Sequence, residues 1–135
     1  MVSLLGKRAE SASINMRIGI LEDYPALGRI LQLSLKMAGH TVYTSQTVED
    51  FLPLITSPAS MDLIIVDFLL MAELSGAEVI RYVRTVSPNM PAILISAAPL
   101  ATLQTATLGL SRVKILQKPF ETPTLLALIQ TITKA

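Results

Sequence analysis

The most regular feature of the chain is an alternation between short, largely apolar runs and longer stretches in which apolar residues recur at helical spacing. The short runs are typical of buried strands, and the recurring positions are typical of helices with one face turned inward. The runs predict strands over residues 17–21, 41–44, 62–67, 91–96 and 112–116. The spacing predicts helices over residues 25–38, 75–86, 100–110 and 123–133, and a further helix whose inner face is Val48, Phe51, Leu52 and Ile55.

This order of elements favours one fold class. Apolar strands that alternate with helices form a parallel sheet covered on both faces. Right-handed crossovers then wind the chain in both directions, which gives a doubly wound α/β fold. We therefore expect one domain over residues 16–135, preceded by a flexible leader at residues 1–15. In such a fold the functional site lies at the carboxyl ends of the strands.

Composition excludes several classes of function. A net charge of +1 and a pI of about 8.1 give no electrostatic reason to expect a nucleic acid or an anionic membrane as partner. The chain has no cysteine and one histidine, which excludes disulfide frameworks, thiolate sites and multi-histidine metal sites. The lack of cysteine fits a cytoplasmic location. The uncharged run over 85–111 is long enough to cross a bilayer, but Pro88, Pro91 and Pro99 interrupt it, so we expect a strand and a helix there.

Chemically versatile residues stand at the carboxyl ends of four predicted strands. They are Glu22 and Asp23 after the first, Asp67 at the end of the third, Ser96 at the end of the fourth, and Lys118 before Pro119 after the fifth. Because the carboxyl ends of parallel strands meet at one edge of a sheet, we expect these side chains to converge. Three neighbouring carboxylates repel one another, which favours a divalent cation such as Mg²⁺, an ion that prefers oxygen ligands.

In order and spacing, this constellation resembles the receiver domains of two-component response regulators. The intervals are 45 residues from Glu22 to Asp67, 29 from Asp67 to Ser96 and 22 from Ser96 to Lys118. The resemblance, which covers residues 16–134, implies a flavodoxin-like, CheY-like three-layer sandwich with strand order 2-1-3-4-5. It implies a switch for an output domain or partner protein, with Asp67 phosphorylated by a sensor histidine kinase or phosphotransfer protein. Beyond self-catalysed phosphorylation and dephosphorylation, no enzyme activity is implied.

The resemblance assigns the metal site to four residues. Asp23, Asp67 and the backbone carbonyl of Leu69 would ligate Mg²⁺, and Glu22 would act directly or through water. The loop after Asp67 departs from the family pattern, since Met71 takes the usual proline position and Gly76 comes nine residues after the aspartate instead of eight. This departure affects the expected role of the Leu69 carbonyl as a metal ligand, because the position of that carbonyl depends on the shape of the loop.

Further residues receive roles in phosphoryl transfer. Lys118 would neutralise charge on the transferred group. The Ser96 hydroxyl would hydrogen-bond the new phosphoryl group and draw its loop inward, which is the usual logic of a phosphorylation switch. Ala97 would leave room for the phosphoryl group, and the Lys118–Pro119 peptide bond is expected to be cis.

The switch elements also depart from the family. Ile115 stands where many receivers have a tyrosine or phenylalanine whose ring moves inward, so another element would carry the signal or the coupling is weaker. The fourth predicted helix has no charge. Either its leucines turn inward, or some are exposed and form a partner surface with the fifth strand and fifth helix, with a second copy as one possible partner. These leucines are Leu100, Leu103, Leu108 and Leu110.

Three other functions remain as alternatives. A degenerate receiver would bind partners without phosphorylation, and the altered loop and Ile115 favour it. An aspartyl phosphatase of the haloacid-dehalogenase type would need an acid two residues after Asp67, where Leu69 stands. A flavin or nucleotide binder would need a phosphate-binding loop where Glu22 and Asp23 would repel a phosphate. Because Leu69 and Ala98 cannot orient a water molecule, we expect slow self-dephosphorylation.

Overall fold

The computed structural model describes residues 15–56, 60–70 and 74–133, the last of these without its side chain. The leader expected at residues 1–15 lies outside the described residues except for Asn15. The side-chain oxygen of Asn15 accepts hydrogen bonds from the backbone N–H and the hydroxyl of Thr41. Met71, in the altered loop, also lies outside the described part of the chain.

Strands and helices alternate through the described residues. They are β1 (Arg17–Leu21), α1 (Pro25–Met37), β2 (Thr41–Ser45), α2 (Val48–Thr56), β3 (Leu63–Asp67), α3 (Gly76–Val86), β4 (Ala92–Ser96), α4 (Leu100–Ala106), β5 (Val113–Gln117) and α5 (Thr122–Thr133). The strands form one sheet in the order β2-β1-β3-β4-β5, and every pairing is parallel. This confirms the doubly wound α/β fold and the strand order that the sequence implies.

Two apolar layers hold the helices on the sheet. Alternate residues of a strand point to opposite faces, so Ile65 and Ile93 pack with α1 and α5, whereas Ile64 and Leu94 pack with α2, α3 and α4. Every residue of β3 and β4 is buried, because both strands lie inside the sheet with helices on both faces. The rigid centre of the sheet thus ends, at its carboxyl edge, in Asp67 and Ser96.

The region around α4 differs from the sequence expectation. The helix predicted over 100–110 ends at Ala106, and the following strand starts one residue later than predicted. Gly109 and Arg112 both have left-handed backbone angles, with φ of 83° and 55°, which turn the chain between the two elements. The leucines divide accordingly, since Leu103 is fully buried whereas Leu108 is 71% exposed.

Two arginines of α3 hold this turn. Arg81 donates to the carbonyls of Ala106 and Leu108 at 2.9 and 3.1 Å, and Arg84 donates to the carbonyl of Ser111 at 2.8 Å. Ala106 ends α4, where carbonyl groups have no partner within the helix, and the other two carbonyls belong to the turn that follows, so the arginines supply donors to both. The uncharged run over 85–111 therefore folds as the end of α3, β4 and α4. In the described part of the chain no helix is long and apolar enough to cross a membrane.

Candidate functional site

Three carboxylates meet at the carboxyl edge of the sheet. Each of Glu22, Asp23 and Asp67 offers an oxygen, and these oxygens all lie within 4.8 Å of one another. The register of the sheet brings them there, because Leu21 of β1 pairs with Val66 of β3, Glu22 and Asp67 each follow one residue later, and Asp23 comes directly after Glu22. Glu22 and Asp67 are 1% and 4% exposed, and Asp23 is half-buried. The expected convergence of the acids is therefore present in the fold.

Lys118 joins this cluster from β5. Its Nζ lies 3.0 Å from Oε1 of Glu22 and 3.4 Å from Oδ2 of Asp67. The backbone N–H of Lys118 donates to the carbonyl of Ser96 at 2.8 Å, and the Lys118–Pro119 peptide bond is cis, the isomer expected from the sequence. One ammonium thus contacts the carboxylates of both Glu22 and Asp67.

The pKa of Glu22 is raised by its position in the cluster. Burial raises the pKa of this carboxyl above its ordinary value of 4.5, and the nearby charge of Asp67 raises it further. Hydrogen bonds from the backbone N–H of Tyr24 and from Lys118 act in the opposite direction and lower the pKa. A buried carboxylate that is costly to ionise is stabilised by added positive charge. An all-carboxylate donor set of this kind fits a hard divalent cation such as Mg²⁺.

Asp67 is held from its own loop. The backbone N–H of Leu69 donates to Oδ1 of Asp67 at 3.2 Å, while Oδ2 faces Lys118. The backbone of Phe68 continues the sheet by donating to the carbonyl of Ile95 at 2.8 Å. The side chain of Leu69 is 58% exposed at the rim of the site. The two oxygens of Asp67 therefore have different neighbours, a backbone amide and an ammonium.

The start of α3 closes the loop against Asp67. The backbone N–H of Gly76 donates to the carbonyl of Phe68 at 2.9 Å, and the backbone of Gly76 lies against that of Asp67. A capping box between Ser75 and Glu78 fixes the first turn of the helix. The glycine nine residues after Asp67 is thus in contact with the aspartate, although its place in the sequence departs from the family pattern.

Ser96 ends β4 and is fully buried. It lies one residue beyond Ile95, the partner of Asp67 across β3 and β4. Its hydroxyl accepts a hydrogen bond from the backbone N–H of Ala98 at 3.0 Å. Ala97, between Ser96 and Ala98, is exposed.

Two residues of β5 complete the surroundings of Ser96. Ile115 is half-buried and packs into the layer of α2, α3 and α4. Gln117 pairs with Ser96 across the sheet, and its side-chain amide donates to the carbonyl of Ala98 at 3.1 Å. Sequence reasoning missed Gln117. Strand alternation places it on the same face as Ile115 and immediately before Lys118, and that position was the signal that could have identified it.

The family of the chain follows from comparison with known proteins. A profile described as "Response regulator receiver domain" matches residues 18–130. The chain belongs to the response regulator receiver domain family. Receiver domains are signalling modules of two-component systems and in general are switches, not enzymes.

Curated relatives of this receiver domain include two regulators. The chain is 28% identical over 119 residues to the cell cycle transcriptional regulator CtrA of Caulobacter vibrioides, covering 88% of this chain and 51% of that protein. It is 29% identical over 119 residues to the response regulator MprA of Mycolicibacterium vanbaalenii, with coverage of 88% and 51%. The receiver domain thus spans about half the length of the curated relatives it matches.

Solved structures agree on the fold. The chemotaxis protein CheY4 of Vibrio cholerae superposes with a TM-score of 0.79 at 23% identity, covering 87% of this chain and 98% of that one. A response regulator receiver protein from Sinorhizobium medicae superposes with a TM-score of 0.79 at 25% identity, covering 90% and 97%. These likenesses bear out the CheY-like sandwich.

Proposed function

We propose that this receiver domain accepts a phosphoryl group on Asp67 from a sensor histidine kinase or a phosphotransfer protein, in a reaction that requires Mg²⁺. The observation that carries the proposal is the position of Asp67. Its carboxylate is buried within the acidic cluster, and Oδ2 lies 3.4 Å from the ammonium of Lys118. A carboxylate next to a fixed cation at the end of a rigid strand is suited to attack phosphorus, where positioning and charge neutralisation account for most of the catalysis.

The transfer step uses the residues around Asp67. A carboxylate oxygen of Asp67 forms the new bond to phosphorus while the bond between phosphorus and the donor nitrogen breaks. The backbone N–H of Leu69 holds Oδ1 in place, and Lys118 faces the oxygens of the incoming group. The negative charge of the phosphoryl group adds to that of Glu22 and Asp23, so Lys118 alone leaves the site with an excess of negative charge.

The carboxylates of this chain fit the metal that the family implies. Asp23 and Asp67, together with the backbone carbonyl of Leu69, would hold Mg²⁺, and Glu22 would act directly or through water. When bound, Mg²⁺ supplies the positive charge that neutralises the phosphoryl oxygens during transfer. The raised pKa of Glu22 supports this assignment, because burial and the Asp67 charge leave its carboxylate in need of a cation.

The switch follows from Ser96. Its hydroxyl would hydrogen-bond the phosphoryl group on Asp67 and move the loop that contains the exposed Ala97. The face of α4, β5 and α5 would then meet an output domain, a partner protein or a second copy of the chain. Leu100, the first residue of α4, is 44% exposed and supports the proposal, and Leu108, in the turn that follows α4, is 71% exposed. The proposed function includes a cytoplasmic location and does not include direct contact with nucleic acid or membrane.

The test is phosphoryl uptake measured by intact-mass spectrometry after incubation with acetyl phosphate and Mg²⁺. We expect a single phosphoryl adduct that disappears without Mg²⁺ and in Asp67→Asn. Asp62→Asn is the matched control, since Asp62 is an exposed acid near the opposite edge of the sheet that accepts a hydrogen bond from the backbone of Arg17. An adduct that survives in Asp67→Asn would contradict the assignment.

A phosphorylation-independent interaction module is the second candidate. The observation that favours it is the altered loop after Asp67, in which Leu69 and Leu74 are 58% and 41% exposed, as contact residues would be. Ile115, which lacks the aromatic ring common in the family, favours it as well. The same experiment separates the two functions, because the interaction module takes up no phosphoryl group under any condition.

A further inference from the structure

The side chain of Gln117 links β5 to the loop after Ser96. Its amide donates to the carbonyl of Ala98 at 3.1 Å, across 19 residues of sequence. The same alanine donates its backbone N–H to the hydroxyl of Ser96 at 3.0 Å. Ala98 is therefore bound on both sides, through its carbonyl by Gln117 and through its N–H by Ser96.

The sheet closes these contacts into a ring. Ser96 and Gln117 are direct partners across β4 and β5, so their side chains leave the sheet on the same face. The next residue, Lys118, donates its backbone N–H to the carbonyl of Ser96 at 2.8 Å. The ring thus joins Ser96, whose hydroxyl would meet the phosphoryl group, to the strand end that carries Lys118.

We propose that Gln117 is a positioning residue for phosphoryl transfer, which acts by orienting the hydroxyl of Ser96 through Ala98. The inference rests on the proposed function, and it names a residue that serves the same site. A serine hydroxyl has one proton to donate and two lone pairs that accept. With one lone pair occupied by the N–H of Ala98, the hydroxyl proton is left for a phosphoryl oxygen.

The burial of Ser96 makes the orientation of its hydroxyl depend on neighbouring protein groups. Ser96 is fully buried, so no bulk water competes for its proton, and its direction is set by the groups around it. Gln117 is exposed, and in the described contacts its side chain bonds to Ala98 and to neither Glu22 nor Asp67. Its removal is therefore expected to change the use of Ser96 and to leave the affinity of the acidic cluster for Mg²⁺ unchanged.

The test begins with Gln117→Met, which keeps the length of the side chain and removes its amide. We expect phosphoryl uptake from acetyl phosphate to slow by about threefold to tenfold, the range that one net hydrogen bond supplies. The concentration of Mg²⁺ that gives half the maximal rate is expected to stay the same. Gln104→Met, an exposed glutamine in α4, is the matched control and is expected to react at the wild-type rate.

A double-mutant cycle with Ser96→Ala separates positioning from a structural role. If Gln117 acts through Ser96, the substitution Gln117→Met has no further effect once the hydroxyl is gone. Uptake at the wild-type rate in Gln117→Met, or an equal slowing in the Ser96→Ala background, would overturn the inference alone. A wild-type protein that takes up no phosphoryl group would overturn the proposed function, and this inference with it.

Discussion

Gly76 lies directly against the backbone of Asp67. A Cβ placed at Gly76 would stand 2.8 Å from the carbonyl carbon of Asp67 and 2.9 Å from the Cα of Phe68. Backbone atoms on a buried strand cannot move aside as the end of a flexible side chain can, so only glycine fits here. The loop that bears Asp67 is thereby fixed at its far end to the first turn of α3.

The substitution Gly76→Ala is therefore expected to lower the free energy of unfolding by about 2 kcal/mol or more, as overpacking does in a filled site. Gly28→Ala is the control, because an added Cβ at this helical position meets nothing within 4 Å. That control is expected to raise the stability by up to about 1 kcal/mol, the helix preference of alanine over glycine. Urea unfolding measures both, and equal effects of the two substitutions would contradict the contact.

Removal of the site's ammonium is expected to change uptake and metal binding in opposite directions. In Lys118→Met, phosphoryl uptake should fall by about a hundredfold, as for other fixed groups that stabilise developing negative charge. Mg²⁺ should bind more tightly, since no cation then opposes it at Glu22 and Asp67. Calorimetric titration measures the affinity, with Lys114→Met, an exposed lysine of β5, as the control. Weaker Mg²⁺ binding in Lys118→Met would show that Lys118 supports the metal site instead of competing with it.

Glu22 predicts a pH dependence of stability in the metal-free protein. Its pKa is raised in the folded state, chiefly by burial, so the folded state holds this proton more firmly than the unfolded chain does. The stability that this proton contributes is present below the unfolded pKa, near the ordinary value of 4.5, and is lost as the pH rises through the folded pKa.

The substitution Glu22→Gln removes that loss. Because Lys118 keeps Asp67 as its partner, we expect the variant to be more stable than the wild type near neutral pH by about 1 kcal/mol, with a smaller difference in acid. Urea unfolding in a chelator across the acid-to-neutral range measures it, and Glu49→Gln, exposed on α2, controls for surface charge. A variant that is less stable at neutral pH would contradict the account of Glu22.

The lifetime of the phosphoryl group depends on the residues at the rim. Neither Leu69 nor Ala98 carries a polar side chain to orient an attacking water, so we expect the phosphorylated domain to persist for minutes or longer. Leu69→Asn should shorten the lifetime by about threefold to tenfold, because an amide can hold a water molecule. Leu74→Asn, on the same loop, is the control. Loss of the adduct within seconds in the wild type would be contrary to this prediction.

The fold and the central site could be predicted because their signals are local in the sequence. Apolar runs such as the one ending in Asp67 mark strands buried on both faces, and a parallel sheet brings their ends to one edge. The acids after β1, Asp67 at the end of β3 and Lys118 after β5 converge for that reason. The sequence alone predicted the chemistry of these residue types but not the distances between them.

The contacts outside the core could not be predicted. Hydrogen bonds to backbone carbonyls far along the chain are made by Arg81, Arg84 and Gln117. Every residue has a backbone carbonyl, so the sequence does not indicate which one accepts such a bond. The end of α4 at Ala106 was missed because apolar spacing continues through Leu110. Leu110 packs into the same apolar layer as Leu103, but it does so from the turn after α4. Its position in the sequence therefore fits helical spacing although its backbone is not helical.

The most direct measurement of the central claim is chemical trapping of the phosphorylated residue. Borohydride reduces an aspartyl phosphate to homoserine, and tandem mass spectrometry of the digested protein then reports where it formed. After incubation with acetyl phosphate and Mg²⁺, we expect homoserine at position 67 alone, and none when Mg²⁺ is withheld. Homoserine at another acid, or none at all under conditions that phosphorylate a reference receiver domain, would contradict the assignment of Asp67 as the phosphoacceptor.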